Sequence, residues 1–242
     1  GDLADKVLAQ HSSQDGYALA LGLGSGKLVE AVIDRSNLFV IIVDSDAKKV
    51  DAFRRRMTAQ GLYGRRVSAR VGDPVTYPFP PYVANLVVSE DPDGAGLLRN
   101  PLAMTRVFRP LRPYGGFAAL ALSETQHAAI KQNLAESMPA QAVLARANGL
   151  TTMTRVGALP GSANWTHQYA DASQSVVSQD TLVKAPLGLL WFGGPSHADV
   201  LPRHGHGPSP QVAGGRLIIE GADMLRAVDV YTGRVLWQTE LK

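Results

Sequence analysis

The sequence contains no cysteine, so disulfides, thiolate nucleophiles and cysteine-ligated metals are all excluded, while the redox compartment stays open. It has little charge, 19% of 242 residues, and the formal net value is only +3. No run of five or more Lys or Arg occurs. The densest basic patches, Arg54-Arg55-Arg56 and Arg65-Arg66, read as solvated helix and loop faces, so nucleic acid is not indicated as a partner. Long apolar runs are missing too. Phe39–Val43 and Phe117–Leu122 fall far short of the roughly 20 residues a membrane span needs, and the first residues lack a basic-then-apolar signal pattern. A soluble chain without a membrane span is expected. Apolar residues make up 45%, enough to bury one good core and a second small one. The sequence starts inside a helical pattern and stops in a strand-like one, as a piece of a longer protein would.

Leu3, Val7 and Leu8 have helical spacing. Tyr17–Leu23 is a short apolar run ending in glycines, and Lys27–Asp34 then takes helical character, giving strand, tight turn, helix. Leu38–Val43 is a second buried strand closed by Asp44-Ser45-Asp46. The amphipathic stretch Ala47–Gln60 ends at Gly61, as a helix C-terminus does. Val67–Val71 and Ala84–Ser89 are further strands, Pro101–Phe108 a helix, Gly116–Leu122 a fifth strand and Glu124–Glu136 another helix. This alternation predicts a doubly wound, mainly parallel Rossmann-like α/β sheet, because parallel neighbours need a crossover that covers the sheet faces. Thr152–Val156 and Trp165–Tyr169, joined by Pro160-Gly161-Ser162, are expected to close the sheet as an antiparallel hairpin.

Beyond Asp171 helical periodicity disappears. Short strands between Gly and Pro take over at Leu187–Phe192, Arg216–Glu220, Leu225–Val230 and Val235–Glu240. We therefore expect two domains, 1–171 and an all-β extension over 172–242.

Gly22-Leu23-Gly24-Ser25-Gly26 closes the first strand and opens a helix. Glycines permit a tight turn and close approach of a ligand, and the helix start offers free N–H groups; a plain steric turn is the alternative. Asp44 ends the second strand, where ligands sit in open α/β sheets, and can accept from both hydroxyls of a ribose. Its alternative is a helix N-cap, for which Asp46 is better placed. Asp73, after the third strand, can accept from an adenine amino group or serve only as a turn residue before Pro74.

Ala18-Leu19-Ala20-Leu21-Gly22-Leu23-Gly24-Ser25-Gly26, Val43-Asp44, Val71-Gly72-Asp73, Ala84-Asn85-Leu86-Val87-Val88 and Arg106-Val107-Phe108-Arg109-Pro110-Leu111-Arg112-Pro113-Tyr114-Gly115-Gly116 resemble the successive motifs of class I S-adenosylmethionine-dependent methyltransferases. The resemblance covers about residues 1–170 and implies a seven-stranded sheet with its last strand antiparallel. It implies that Gly22, Gly24 and Gly26 cradle the methionine part of S-adenosylmethionine, that Asp44 holds the ribose and Asp73 the adenine, with Leu23, Ser45, Gly72, Pro74 and Ser89 beside them. Two positions depart from the pattern. Ala20 stands where an acid is usual, so the cofactor's amino group needs another partner, and Asn85 stands where the fourth strand usually opens with Asp. A nicotinamide dehydrogenase shares the topology, but the Arg-rich stretch and Gly72-Asp73 fit it poorly.

Ser89, Glu90 and Asp91 follow the fourth strand, where acceptor-side residues fall in the resembling family. Glu90 is the candidate catalytic residue, against the alternative of a solvated loop carboxylate; His127 lies near a helix start and could reach the same mouth. The expected activity is methyl transfer to a small-molecule acceptor, with a non-catalytic binding module on a scaffold as the alternative.

In the tail, Ala227-Val228-Asp229-Val230-Tyr231-Thr232-Gly233-Arg234-Val235-Leu236-Trp237 resembles the repeat of quinoprotein-type β-propellers, in which Asp and Thr bond the turn and Trp packs over a neighbouring blade. Residues 172–242 amount to one blade, too few for a ring. The arrangement, with Trp165-Thr166-His167-Gln168-Tyr169-Ala170-Asp171-Ala172 at the junction, is similar to large bacterial proteins joining a methyltransferase-like domain to a propeller. That architecture implies an envelope location, whereas the cofactor implies the cytoplasm. The uncovered strands are expected to fold back on the first domain or to pair with another copy. His204-Gly205-His206, with His197 nearby, reads as a Gly/Pro-rich loop rather than a metal site.

Overall fold

The computed structural model describes residues 3–11, 15–100, 102–194, 196–201 and 207–241. They fall into two compact units, 1–156 and 157–242.

The first unit is built on strands β1 (Asp15–Leu21), β2 (Asn37–Asp44), β3 (Val67–Val71), β4 (Leu86–Ser89), β5 (Gly116–Leu120), β6 (Ala142–Ala147) and β7 (Leu150–Arg155). Their order across the sheet is β3-β2-β1-β4-β5-β7-β6. β1 to β5 run parallel, whereas β7 is antiparallel to both β5 and β6. Helices α1 (Leu3–Gln10), α2 (Lys27–Arg35), α3 (Ala47–Ala59), α4 (Ala103–Phe108) and α5 (Glu124–Asn133) supply the covers.

Alternation along the strands explains the two layers. Ala18, Ala20, Leu38, Val40, Ile42, Leu86 and Val88 pack with Val7 of α1, Val32 of α2, and Phe53 and Met57 of α3. The intervening Leu19, Leu21, Val43, Val87, Ala118 and Leu120 pack with Met104, Val107 and Phe108 of α4 and Ile130 of α5. Central parallel strands buried on both faces need unbroken apolar sequence, which β1, β2 and β4 have. Ala20 lies in the first of these cores, 1% exposed. An acid placed there would be desolvated, a cost that Ala20 does not carry.

The closing hairpin differs from expectation. β7 turns at Asn148-Gly149, both with positive φ, and pairs with β6, not with 165–169. The signal in β6 was weak, because its burial alternates between half-buried and exposed on an outer strand. Trp165 instead exchanges backbone hydrogen bonds with Val212 at 2.8 and 2.7 Å, within the second unit.

That unit carries β8 (Gln211–Ala213), β9 (Arg216–Gly221), β10 (Met224–Asp229) and β11 (Val235–Glu240) in one antiparallel sheet, order β11-β10-β9-β8. It is a single four-stranded sheet. Leu187–Phe192 is not a strand: its apolar side chains find no partner strand, and Phe192 is 94% exposed. Of the expected turn the Asp229 part forms, with Asp229 accepting the Tyr231 N–H at 3.0 Å and Gly233 donating to the Asp229 carbonyl at 2.8 Å, but the Thr232 hydroxyl is buried without a hydrogen-bond partner and does not bond the turn. The tryptophan against it is Trp191, which packs on Gly233 and donates to the Val230 carbonyl at 2.8 Å. Trp237 stands on β11, 41% exposed. His204 and His206 lie outside the described residues, and among the described residues no three His, Asp or Glu side chains gather as a metal site. No helix of the described residues is long and apolar enough to cross a membrane.

Candidate functional site

The site lies at the carboxyl ends of β1 to β4, where β1 sits between β2 and β4 and the chain order reverses. A ligand crevice opens at such a point in open α/β sheets. The loop leaving β1 requires glycine for backbone reasons at Gly22 (φ +81°) and Gly24 (φ +54°), left-handed conformations that L side chains resist. Gly26 caps α2 with no side-chain hydrogen bond of its own, and the first N–H of the helix, that of Lys27, donates to Ser25 Oγ at 3.3 Å.

The three glycines face different neighbours. A Cβ on Gly22 would lie 3.2 Å from Ala95 and 4.0 Å from Asp44 Oδ2. One on Gly24 would lie 3.0 Å from Glu90 Cβ and 3.1 Å from its Oε2. A Cβ on Gly26 would meet Arg56 Nη2 at 3.2 Å and Phe53 at 3.9 Å, so this glycine faces α3. Gly22 thus lies against Ala95 and beside Asp44, and Gly24 against Glu90, whereas Gly26 faces α3 and starts α2.

Asp44 is buried, 7% exposed. Its Oδ2 accepts the Leu23 backbone N–H at 2.7 Å and its Oδ1 the Asp46 N–H at 2.7 Å. Asp46 caps α3, accepting from Lys48 and Lys49 at 2.9 and 3.1 Å, which frees Asp44 from that duty. Each Asp44 oxygen keeps a second lone pair, so the carboxylate can fasten the loop and still accept from a diol. Ser45 beside it is exposed.

At the end of β3, Gly72 donates to the Asp44 carbonyl at 3.0 Å and lies under the Tyr77 ring. Asp73 is exposed and accepts the Val75 N–H at 2.8 Å, the turn geometry open to it from the sequence, and Pro74 behind it is buried.

Ser89 and Glu90 leave β4 against the loop. Ser89 is buried and donates to the Leu21 carbonyl at 2.6 Å. Glu90 Oε1 accepts the Ser25 hydroxyl at 2.5 Å, while Oε2 is buried without a hydrogen-bond partner. A solvated loop carboxylate would look different. Asp91 points away into its own turn, accepting the Gly94 N–H at 2.9 Å.

Two further residues singled out in the sequence are placed by their hydrogen bonds. His127 Nδ1 is 3.0 Å from Thr151 Oγ1 on β7. Asn85 lies at the opposite end of β4, where its Oδ1 accepts the Tyr17 N–H at 3.3 Å and abuts Gly16. Sequence reasoning missed Ser25 and Ala95. Ser25 carried a signal, a hydroxyl inside the glycine loop; Ala95 carried none, because its place over Gly22 depends on β4 pairing with β1 across a sequence separation of 68 residues.

The residues fit S-adenosylmethionine chemically. A carboxylate with spare lone pairs suits its diol, and an unpartnered carboxylate oxygen suits a cationic donor. Neither calls for a phosphate.

No protein-family model and no curated protein matches the sequence. Solved structures do. A Methanococcus maripaludis protein assigned as an S-adenosyl-L-methionine-dependent methyltransferase aligns over 65% of this chain and 84% of its own, with 14% identity and TM-score 0.55. A Galdieria sulphuraria protein assigned as a sarcosine dimethylglycine methyltransferase aligns over 59% of this chain and 61% of its own, with 14% identity and TM-score 0.46. A geranyl diphosphate methyltransferase in complex with S-adenosylmethionine aligns over 63% and 84%, with 14% identity and TM-score 0.49. At such identity it is the first of these likenesses that establishes what is shared: the Rossmann-like methyltransferase fold, a seven-stranded mixed sheet with its last strand antiparallel.

Proposed function

We propose that the first unit binds S-adenosylmethionine across the carboxyl ends of β1 to β4 and transfers its methyl group to a small molecule. The observation that carries this reading is the acidic lining of the glycine loop, with Glu90 bonded to Ser25 inside the loop and Asp44 to Leu23. A dinucleotide would bring its diphosphate to this loop and helix start, against the Glu90 carboxylate, whereas an acid at the end of β2 serves the ribose of either ligand. S-adenosylmethionine has no phosphate and carries positive charge on sulfur and nitrogen, so the Glu90 carboxylate attracts it.

In this reading Asp44 accepts from the ribose hydroxyls while Leu23 and Asp46 hold it in place. Asp73, with Gly72 and Pro74, borders the adenine; Ser45 and Ser89 flank the crevice. The cofactor, when bound, supplies a methyl group on a sulfonium. Transfer then needs chiefly alignment of an acceptor lone pair. A cleft of about 310 Å³ between the segment after β4 and α5 offers the acceptor a place, with Leu97, Met104, Ile130 and Leu134 apolar and Arg99, Asn100, Gln126 and Asn133 polar. This composition suits an amphipathic small molecule with an apolar body and several hydrogen-bonding groups. In the second unit, the Asp229 turn within a four-stranded antiparallel sheet supports a blade-like structural module.

Calorimetric titration with S-adenosylhomocysteine, followed by a screen for its formation from S-adenosylmethionine with pooled acceptors, tests the reading. Saturable binding with turnover is expected. Absence of binding overturns the reading, and binding without turnover makes the unit a non-catalytic module.

A further inference from the structure

Resting on that reading, we infer that Glu90 is the binding partner of the cofactor's α-ammonium group, and so selects ligands that carry a free amine. Glu90 is fixed from two sides. Its Oε1 takes the Ser25 hydroxyl at 2.5 Å, and its Cβ lies 3.0 Å from where a Gly24 side chain would begin, so the carboxylate lies flat on the loop. The other oxygen, Oε2, is enclosed and has no donor. A buried acceptor left without a donor is costly, and more so for a charged group. Among the described residues no Lys, Arg or His forms an ion pair with it.

The protein itself thus supplies no donor to one carboxylate oxygen, which lies against Gly24, and a ligand donor satisfies it once the carboxylate turns toward the bound molecule. The ligand group must bring an N–H or O–H, and a positive charge adds a charge-assisted bond of roughly twice the ordinary strength. A sulfonium has the charge but no proton to donate; an ammonium has both. The other carboxylate, Asp44, already holds two N–H groups and lies beside Gly22. One acid is therefore set for the ribose, and the other, at the opposite end of the glycine loop, for the amino-acid end. Glu90 then binds cofactor and does not act as a base toward the acceptor.

The test is calorimetry on the full chain with two ligands, S-adenosylhomocysteine and its analogue lacking the α-amino group. Wild type is expected to bind S-adenosylhomocysteine about tenfold or more tightly than the des-amino analogue. Glu90→Gln, isosteric and uncharged, is expected to lose that preference by weakening S-adenosylhomocysteine alone, with the analogue unchanged within about twofold. If wild type binds S-adenosylhomocysteine but shows no preference, or if Glu90→Gln weakens both ligands equally, the inference falls while the cofactor reading stands. If wild type binds neither, both fall. The comparison within wild type needs no variant, so poor folding of Glu90→Gln does not remove the test.

Discussion

Asp44 Oδ2 lies 2.7 Å from the Leu23 backbone nitrogen, so the carboxylate at the end of β2 fastens the loop at the end of β1. The bond is enclosed, and the same side chain holds the start of the next loop through Asp46. Asp44 is therefore part of the scaffold as well as a candidate ligand contact.

Asp44→Ala removes both bonds and leaves buried N–H groups unpaired. It should lower unfolding free energy by roughly 2–4 kcal/mol and also weaken S-adenosylhomocysteine binding. Asp46→Ala loses only a helix cap, about 1 kcal/mol, and should leave affinity unchanged. Urea denaturation and calorimetry on the two variants separate these effects; equal stability losses would contradict the scaffold role of Asp44.

His11 is 4% exposed, its ring stacked on Phe117 at 5.9 Å, and desolvation lowers its pKa from 6.5 to about 4. The unfolded chain therefore binds the proton more readily. Between about pH 6.5 and 4 stability should fall as pH falls, by up to about 3 kcal/mol in total, while above pH 6.5 this contribution is level. His11→Phe should flatten the pH dependence in that window. Urea midpoints measured from pH 4 to pH 7 check this, and an unchanged slope in the variant would assign the acid sensitivity elsewhere.

Ala129 lies on the exposed side of α5 and borders the cleft proposed for the acceptor. Ala129→Trp should fill the cleft without disturbing the core, raising KM for the acceptor or abolishing turnover while S-adenosylhomocysteine affinity stays the same. Normal turnover in this variant would place the acceptor elsewhere.

The parallel core was legible because strands buried on both faces must be nearly all apolar, as Leu38–Val43 is, and because Gly61 and Asp46 mark the ends of α3. The sheet's outer hairpin was not. β6 needs to bury little, so Val143 can stand 49% exposed and its period carries no strong signal. At the site, Asp44, Gly22 and Gly24 could be placed from the strand ends alone. The direction each glycine faces could not: Gly26 turns to α3 because Phe53 and Arg56 of α3 reach it, a tertiary fact. Nor could the sequence reveal that Glu90 leaves one oxygen enclosed, since that depends on Ser25 approaching from 65 residues away.

Those separations bear on how the chain reaches its native state. Leu23 and Asp44 are 21 residues apart, but Ser25 meets Glu90 across 65, and Ser89 reaches the Leu21 carbonyl across 68. β4 must insert beside β1 before the last two links can form, and closing long loops ahead of the contacts that reward them is slow. The crevice is consequently among the late features to assemble. A chain whose first two strands have paired already carries Asp44 against the loop, yet it has no Glu90 there, and by our assignment gains its selectivity for an amine only when the centre of the sheet is complete.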